Sequence, residues 1–330
     1  MKNVLRITFN LVLILSLMAT LGSCSRDIDL TPDAAEASIA LILSTNEGDY
    51  WKMIKMGADA AAKEFNVSLV FNAPGNETDA KGQIELVRQA LDSPKIRALV
   101  LAANDYDALA EVVEDATHQG IPVITIDSEV NSTEIKSFIG TDNYEAGRKV
   151  GQKMLELMNN PSSRFAILGT KKRDRNTIQR EAGIIDLFAD YPQVKLVDTK
   201  YLESESDTDL VGSTVHSWLE DGHPINGIIA MNTEASIVAA AELKRMGLRG
   251  KVKLVTFDHT LEALELLQEG TIQATVIQNP YSMGYLGIKY AAQAAARKAV
   301  PSRIDTESTT IDLDNMFWKE NQKRLFPLVK

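Results

Sequence analysis

The residues best suited to hold a small polar molecule fall where apolar runs stop. Ile39 to Leu43 gives way to Ser44-Thr45-Asn46-Glu47-Gly48-Asp49-Tyr50-Trp51. Later runs stop at Asp127-Ser128, Asn232-Thr233, Asp258-His259 and Gln278-Asn279-Pro280. Each stop supplies a carboxylate or planar amide, groups that accept from or bridge neighbouring hydroxyls of one polyol. Tyr50 and Trp51 add flat apolar surface suited to the C–H face of a ring. Asp127 and Asp258 are also the residue types of a glycosidase pair, but nothing in the sequence selects acid–base work over hydrogen bonding.

Other chemistry is poorly served. His118, His216, His223 and His259 have no metal-ligand spacing. No G-x-S-x-G elbow, H-E-x-x-H pair or Walker loop is present. We therefore expect neither a metal, nor another cofactor, nor an enzyme. The formal net charge of −10 argues against a nucleic-acid partner. Lys171-Lys172-Arg173-Asp174-Arg175 is a charged run after a strand. It reads first as a solvated loop, and second as a site for an anion.

The polar stops need a scaffold that brings them together. The runs at Ile39–Leu43, Ser68–Phe71, Ala98–Ala102, Val123–Ile126, Phe138–Gly140, Phe165–Leu168, Gly227–Ala230, Lys253–Phe257 and Thr271–Ile277 are mostly β-branched and apolar on both faces, as buried parallel strands require. Helical patterns lie between them. Asp142-Asn143-Tyr144-Glu145 has the form of a capping box, and Val150, Met154, Leu157 and Met158 repeat on one face. Gly120, before Pro122, and Gly247 stand where helices should stop. Strand–helix alternation implies parallel sheets with right-handed crossovers. About ten strands are too many for one compact sheet, so the expectation is α/β with two doubly wound lobes. Ligands of such sheets sit outside the carboxyl ends of the strands, where the polar stops lie.

The N-terminus has its own chemistry. Lys2 and Arg6 precede an aliphatic run from Leu11 to Leu21, too short to span a bilayer as a lone helix and laid out like a secretory signal. Cys24, the only cysteine, ends Leu21-Gly22-Ser23-Cys24. This resembles the lipobox of bacterial lipoproteins. The resemblance implies cleavage of residues 1–23, diacylation of Cys24 and an extracytoplasmic chain anchored to the membrane. Two acyl chains give a stable anchor where one is marginal. Residues 24–37, small and polar, read as a tether. The remaining 306 residues contain no cysteine, so burial alone must hold the fold. A chain of this size can bury roughly three quarters of its unfolded surface.

The ordered motifs carry a second resemblance. Ile39–Thr45 with Tyr50-Trp51 and Gly57-Ala58, Gly120–Asp127, Ile139–Asn143 with Gly147, Val255–Asp258, and Ala274–Pro280 with Gly284 are similar to the ribose-binding type of type I periplasmic solute-binding proteins, over roughly Ser38 to Thr310. The resemblance implies two lobes joined by three crossover strands: residues 38–141 plus 279–308, and 142–278 plus 309–330. Tyr50 and Trp51 would stack on a sugar, with Asp127, Asn232, Asp258 and Gln278 bonding its hydroxyls. Arg180 would reach the ring or anomeric oxygen, joined by Asn176 one helical turn earlier. Three departures change which sugar fits. Gly48 stands where such members often carry Asn, Ser128 where they carry Arg, and Ser206 near a second-lobe aromatic, so ribose is not carried over. Asn46 or Glu47 would compensate for the missing guanidinium, and Ser128 stays in the expected ligand set. The implied partner is an ABC-type sugar permease. A membrane histidine kinase or chemoreceptor, or a furanosyl or inositol-like signalling ligand, remains the alternative.

Overall fold

The computed structural model describes residues 38–158, 162–169, 174–202, 208–220 and 225–326. The segment read as signal and tether (1–37) with Cys24, Ser206, His223 and the Lys171–Arg173 part of the charged run lie outside these residues.

The first sheet is all-parallel in the order β11-β5-β4-β3-β1-β2: Arg303–Asp305, Ser137–Gly140, Val123–Ile126, Ile96–Leu101, Ser38–Ile42 and Ser68–Asn72. The second runs β12-β10-β9-β8-β6-β7: Thr309–Asp312, Ala274–Ile277, Lys253–Phe257, Gly227–Ala230, Arg164–Gly169 and Lys195–Tyr201, with only β12 antiparallel. Strands β1, β4, β5, β8 and β10 are buried at every residue. Helices on both faces make this possible, and it explains their continuous apolar sequence. β7, β11 and β12 escaped the sequence reading. All three lie at or beside a sheet edge; β7 and β11 are only partly covered, so no apolar run marks them.

Helices α1 (Asp49–Glu64), α2 (Ala80–Leu91), α3 (Ala110–His118) and α9 (Pro280–Ala295) cover the first sheet; α4 (Asn143–Leu157), α5 (Arg175–Ala189), α6 (Thr208–Glu220), α7 (Thr233–Arg245) and α8 (Leu261–Gln268) cover the second; α10 spans Lys319–Leu325. One helix pair in each lobe packs backbone to backbone. A Cβ on Gly57 of α1 would lie 1.9 Å from the Tyr281 carbonyl oxygen, and one on Gly284 of α9 would lie 1.9 Å from that of Ile54. Gly147 of α4 and Gly183 of α5 stand in the same relation to Arg180 and Tyr144, at 2.0 and 2.1 Å. Only glycine permits such contacts.

Asp142 caps α4, accepting from the Glu145 N–H at 3.0 Å. The reciprocal half of the expected box is replaced: the Asp142 N–H donates to Asp305 Oδ1 at 3.1 Å. That bond ties the start of a second-lobe helix to β11 of the first sheet. The chain passes between sheets three times, at 141–142, 278–279 and 306–308.

Candidate functional site

In each sheet the winding reverses between the first and third strands of the lobe, β1 and β3, then β6 and β8. The carboxyl edges at these reversals are the crevices where open α/β sheets take ligands. Asp127 and Asp258 occupy matching places. Each follows the fourth strand of its lobe in a left-handed backbone conformation, φ 61° and 58°. Each donates its N–H to the next strand, to Ile139 O at 3.0 Å and Val276 O at 2.9 Å. Neither caps a helix; Thr260 caps α8 instead. A non-glycine residue is costly in this conformation and persists where its surroundings hold it.

Asp127 is 8% exposed, and each of its carboxylate oxygens accepts one hydrogen bond, leaving further acceptor sites. Tyr50 donates to Oδ1 at 2.5 Å and Ser128 to Oδ2 at 2.9 Å. Burial raises the Asp127 carboxyl above its ordinary range, although both hydrogen bonds and the Arg180 charge oppose the shift. Burial likewise pushes the Tyr50 phenol well up, with the Asp127 and Asp258 charges adding to it. The phenol is therefore a neutral donor at any physiological pH.

From the second lobe, Arg180 of α5 lies 6% exposed with its guanidinium 4.3 Å above the Phe257 ring. Its Nε donates to Asn143 Oδ1 at 2.8 Å and an Nη to the Met231 carbonyl at 3.4 Å. Asn143 passes the chain on, donating to Asn176 Oδ1 at 3.0 Å; Asn176 donates across the cleft to the Asp127 carbonyl at 3.4 Å. At the crossovers, Thr141 donates to Gln278 Oε1 at 2.8 Å, and Gln278 Nε2 donates to both Asp258 oxygens at 3.2 and 3.0 Å. Asn143 Nδ2 also donates to the Thr141 carbonyl at 3.3 Å, so Tyr50, Asp127, Ser128, Asn176, Arg180, Asp258 and Gln278 form one connected cluster where the lobes meet. These bonds hold the rotamers of the side chains they join.

Two expected residues stand apart. Trp51 is 8% exposed among the apolar residues of the first lobe, and its Nε1 donates to Glu77 Oε1 at 2.6 Å. It meets Tyr50 edge-on, ring centroids 5.3 Å apart, and so braces that ring. Asn232 spends Oδ1 on capping α7 through the Ala235 N–H at 2.9 Å. Asn143, Thr141 and Gln83 were missed. Asn143 and Thr141 stood inside the motif at the first crossover. Gln83 is fully buried on α2; it grips Leu43 O, Ala102 O and the Asn104 N–H at 2.8–2.9 Å, fixing the ends of β1 and β3. A polar residue on a helix face carries no signal of such a role. A groove of about 410 Å³ between α4 and β12 lies away from this cluster, and its Lys153 is paired with Asp312 and Glu156.

Comparison with known proteins agrees with this geometry. Residues 39–299 match the model of the periplasmic binding protein domain. The chain is 28% identical over 289 residues to the D-ribose/D-allose-binding protein of Pseudomonas aeruginosa, covering 84% of this chain and 89% of that one. It is 29% identical over 242 residues to a D-apiose import binding protein of Actinobacillus succinogenes, covering 73% and 76%. Among solved structures, a carbohydrate transporter solute-binding protein from Agrobacterium radiobacter in complex with D-arabinose superposes with a TM-score of 0.81 at 27% identity, covering 88% of this chain and 99% of that one. An ABC transporter solute-binding protein from Agrobacterium vitis with bound D-fucose gives 0.80 at 26% identity, covering 88% and 100%. These relatives are binding proteins and not enzymes, and with their two-lobed α/β fold goes their extracytoplasmic setting. The chain belongs to the periplasmic binding protein family, among the sugar-binding solute receptors of ABC transporters.

Proposed function

We propose that this protein captures a monosaccharide between its lobes and delivers it to an ABC-type permease, tethered to the membrane through diacylated Cys24. The observation that carries the ligand class is the convergence of Asp127, Asp258, Arg180 and Asn176 where two facing carboxyl edges meet. Two carboxylates accept from vicinal hydroxyls, while the guanidinium and the amide donate to ring or hydroxyl oxygens. Tyr50 and Ser128 hold Asp127, and Gln278 holds Asp258. Asn232 has an Nδ2 to offer, its Oδ1 being committed to the helix cap. Trp51 acts through Tyr50, as the backing of that ring, instead of stacking on the sugar itself. The relatives' ligands, D-arabinose and D-fucose among them, support a pentose or a deoxyhexose in size.

Contacts from both lobes favour the closed form, and the sugar shifts the open–closed balance by its preference for it. Thermal melting of residues 25–330 against monosaccharides, polyols and their phosphates tests the reading. A ligand at 100 Kd stabilises the fold by about 2.7 kcal/mol, a clear shift in Tm. A shift with one pentose or hexose supports the proposal. A shift only with phosphorylated or furanosyl compounds overturns the ligand class.

A further inference from the structure

Arg175 belongs to the charged run whose sequence reads first as a solvated loop and second as an anion site; the side chain reaches across the cleft to a carboxylate. It is the first residue of α5 in the second lobe, directly after the helix cap Asp174. Its Nε lies 3.3 Å from Glu129 Oε2, and its guanidinium carbon lies 5.5 Å from the centre of the Tyr106 ring. Glu129 and Tyr106 are both first-lobe residues, on the loops after β4 and β3. Glu129 does not swing freely. Its other oxygen takes a 2.6 Å bond from Arg303 of β11, and the Arg303 guanidinium is itself stacked 4.4 Å over Phe138 of β5. The Glu129 side chain is only 17% exposed, whereas Arg175 is 44% exposed. A second bond binds the two loops of this half-socket: the Asn131 N–H donates to Tyr106 O at 2.8 Å.

The arrangement is asymmetric. The first lobe presents an acidic and aromatic socket, and the second lobe reaches it with the Arg175 guanidinium. Asn176, the next residue on α5, makes the cross-cleft bond to Asp127 O. Seating Arg175 therefore sets the N-terminal turn of α5, and with it Asn176 and Arg180, against the first lobe.

We infer that Arg175 is a positioning residue for ligand capture: a rim latch that docks into the Glu129–Tyr106 socket when the lobes close, and so slows release without touching the ligand. This inference rests on the sugar-capture reading for its kinetic consequence but not for its structural one. A partly exposed ion pair with a cation–π contact contributes modestly, so loss of the latch should raise koff about three- to tenfold and leave kon within about twofold.

The test uses the chain from residue 25 onward, which has no cysteine of its own. Arg175→Met, Glu129→Gln and the double variant are compared with the parent by stopped-flow release of the sugar that melting identifies. Nitroxide distances between Asp92→Cys and Lys251→Cys, exposed positions in the two lobes, report closure. The latch predicts faster release in each single variant and no further increase in the double variant. It also predicts release that accelerates with salt in the parent but not in Glu129→Gln, and a longer interlobe distance. Arg175→Lys should recover only part of the effect, because an ammonium lacks the flat face that stacks on Tyr106. Release rates and distances equal to the parent's in both single variants overturn the latch while leaving sugar capture intact. If the parent binds no sugar, the sugar reading fails. The distance distribution then decides alone: a shift to longer separations in Arg175→Met upholds the latch, and an unchanged distribution refutes it.

Discussion

Replacing Gly147 with alanine should damage both the second lobe and its cleft, although alanine is the better helix former. In the interior of α4 the exchange gains about 1 kcal/mol of intrinsic propensity. The added Cβ, however, would stand 2.0 Å from the carbonyl oxygen of Arg180 on α5, and the two next-nearest atoms, 2.8 Å away, are also Arg180 backbone. That is more than an ångström short of ordinary contact, and backbone has no rotamer by which to retreat. The helices must part, at the upper end of the 1–3 kcal/mol typical of overpacking or beyond it. The net loss is about 2 kcal/mol or more, a fall in Tm of at least about 4–8 °C for a unit of this size. Gly212 of α6 is the control. There a Cβ meets only Val238 Cγ1 at 4.0 Å, so Gly212→Ala should raise stability by about 0.5–1 kcal/mol. Thermal and urea unfolding of both variants beside the parent measures the contrast. Because the strained contact is with Arg180 itself, sugar affinity of Gly147→Ala should also fall about tenfold, the equivalent of 1.4 kcal/mol. If Gly147→Ala melts as high as Gly212→Ala, the close-packing argument is wrong. If it melts lower but binds normally, Arg180 is not coupled to the cleft as described.

Three further outcomes are expected. Asp258→Ala removes charge-assisted bonds of roughly 1.5–3 kcal/mol each, and calorimetry should show sugar affinity reduced at least about tenfold in a folded protein. Asp127→Asn should abolish tight binding yet leave the free protein at least as stable at pH 7. Burial raises the folded-state carboxyl, so its proton favours the fold: that stability is complete below the ordinary carboxylate range and is lost as pH rises through the elevated folded value. Unfolding at a series of pH values should find the variant gaining on the parent as pH rises, and a pH-independent difference would contradict the assignment. Cys24→Ser should move the expressed protein from the detergent to the aqueous phase on Triton X-114 partition, and unchanged partition would remove the lipid anchor from the proposal.

Much of this protein was legible in its residues. Apolar runs marked nine of the strands, although β2, at a sheet edge, has no fully buried residue and was expected to be covered on both faces. The residue after such a run is the residue at the carboxyl edge, which is why Asp127, Asp258 and Gln278 stood out. Those are local regularities, set by the two-residue period of a strand and by the need to leave a buried sheet on a polar group. Gly57, Gly147 and Gly284 were visible as motif members, but their reason, which they share with Gly183, was not. Each faces a carbonyl more than thirty residues distant along the chain, a contact that exists only once two helices have been laid side by side.

Tertiary structure alone decided the division of labour within the site. Adjacent residues of like promise, Tyr50 and Trp51, parted: one hydroxyl reaches Asp127 and the other ring turns into the core toward Glu77. Asn143, unremarkable at the start of a helix, became the joint between Arg180 and Asn176. Arg175, one cation in a charged run, met its carboxylate on the opposite lobe. Sequence determines which groups a strand end or helix turn can offer, because backbone periodicity is local. Which of them meet depends on two sheets facing each other across three crossovers, and that pairing is written only in the folded chain.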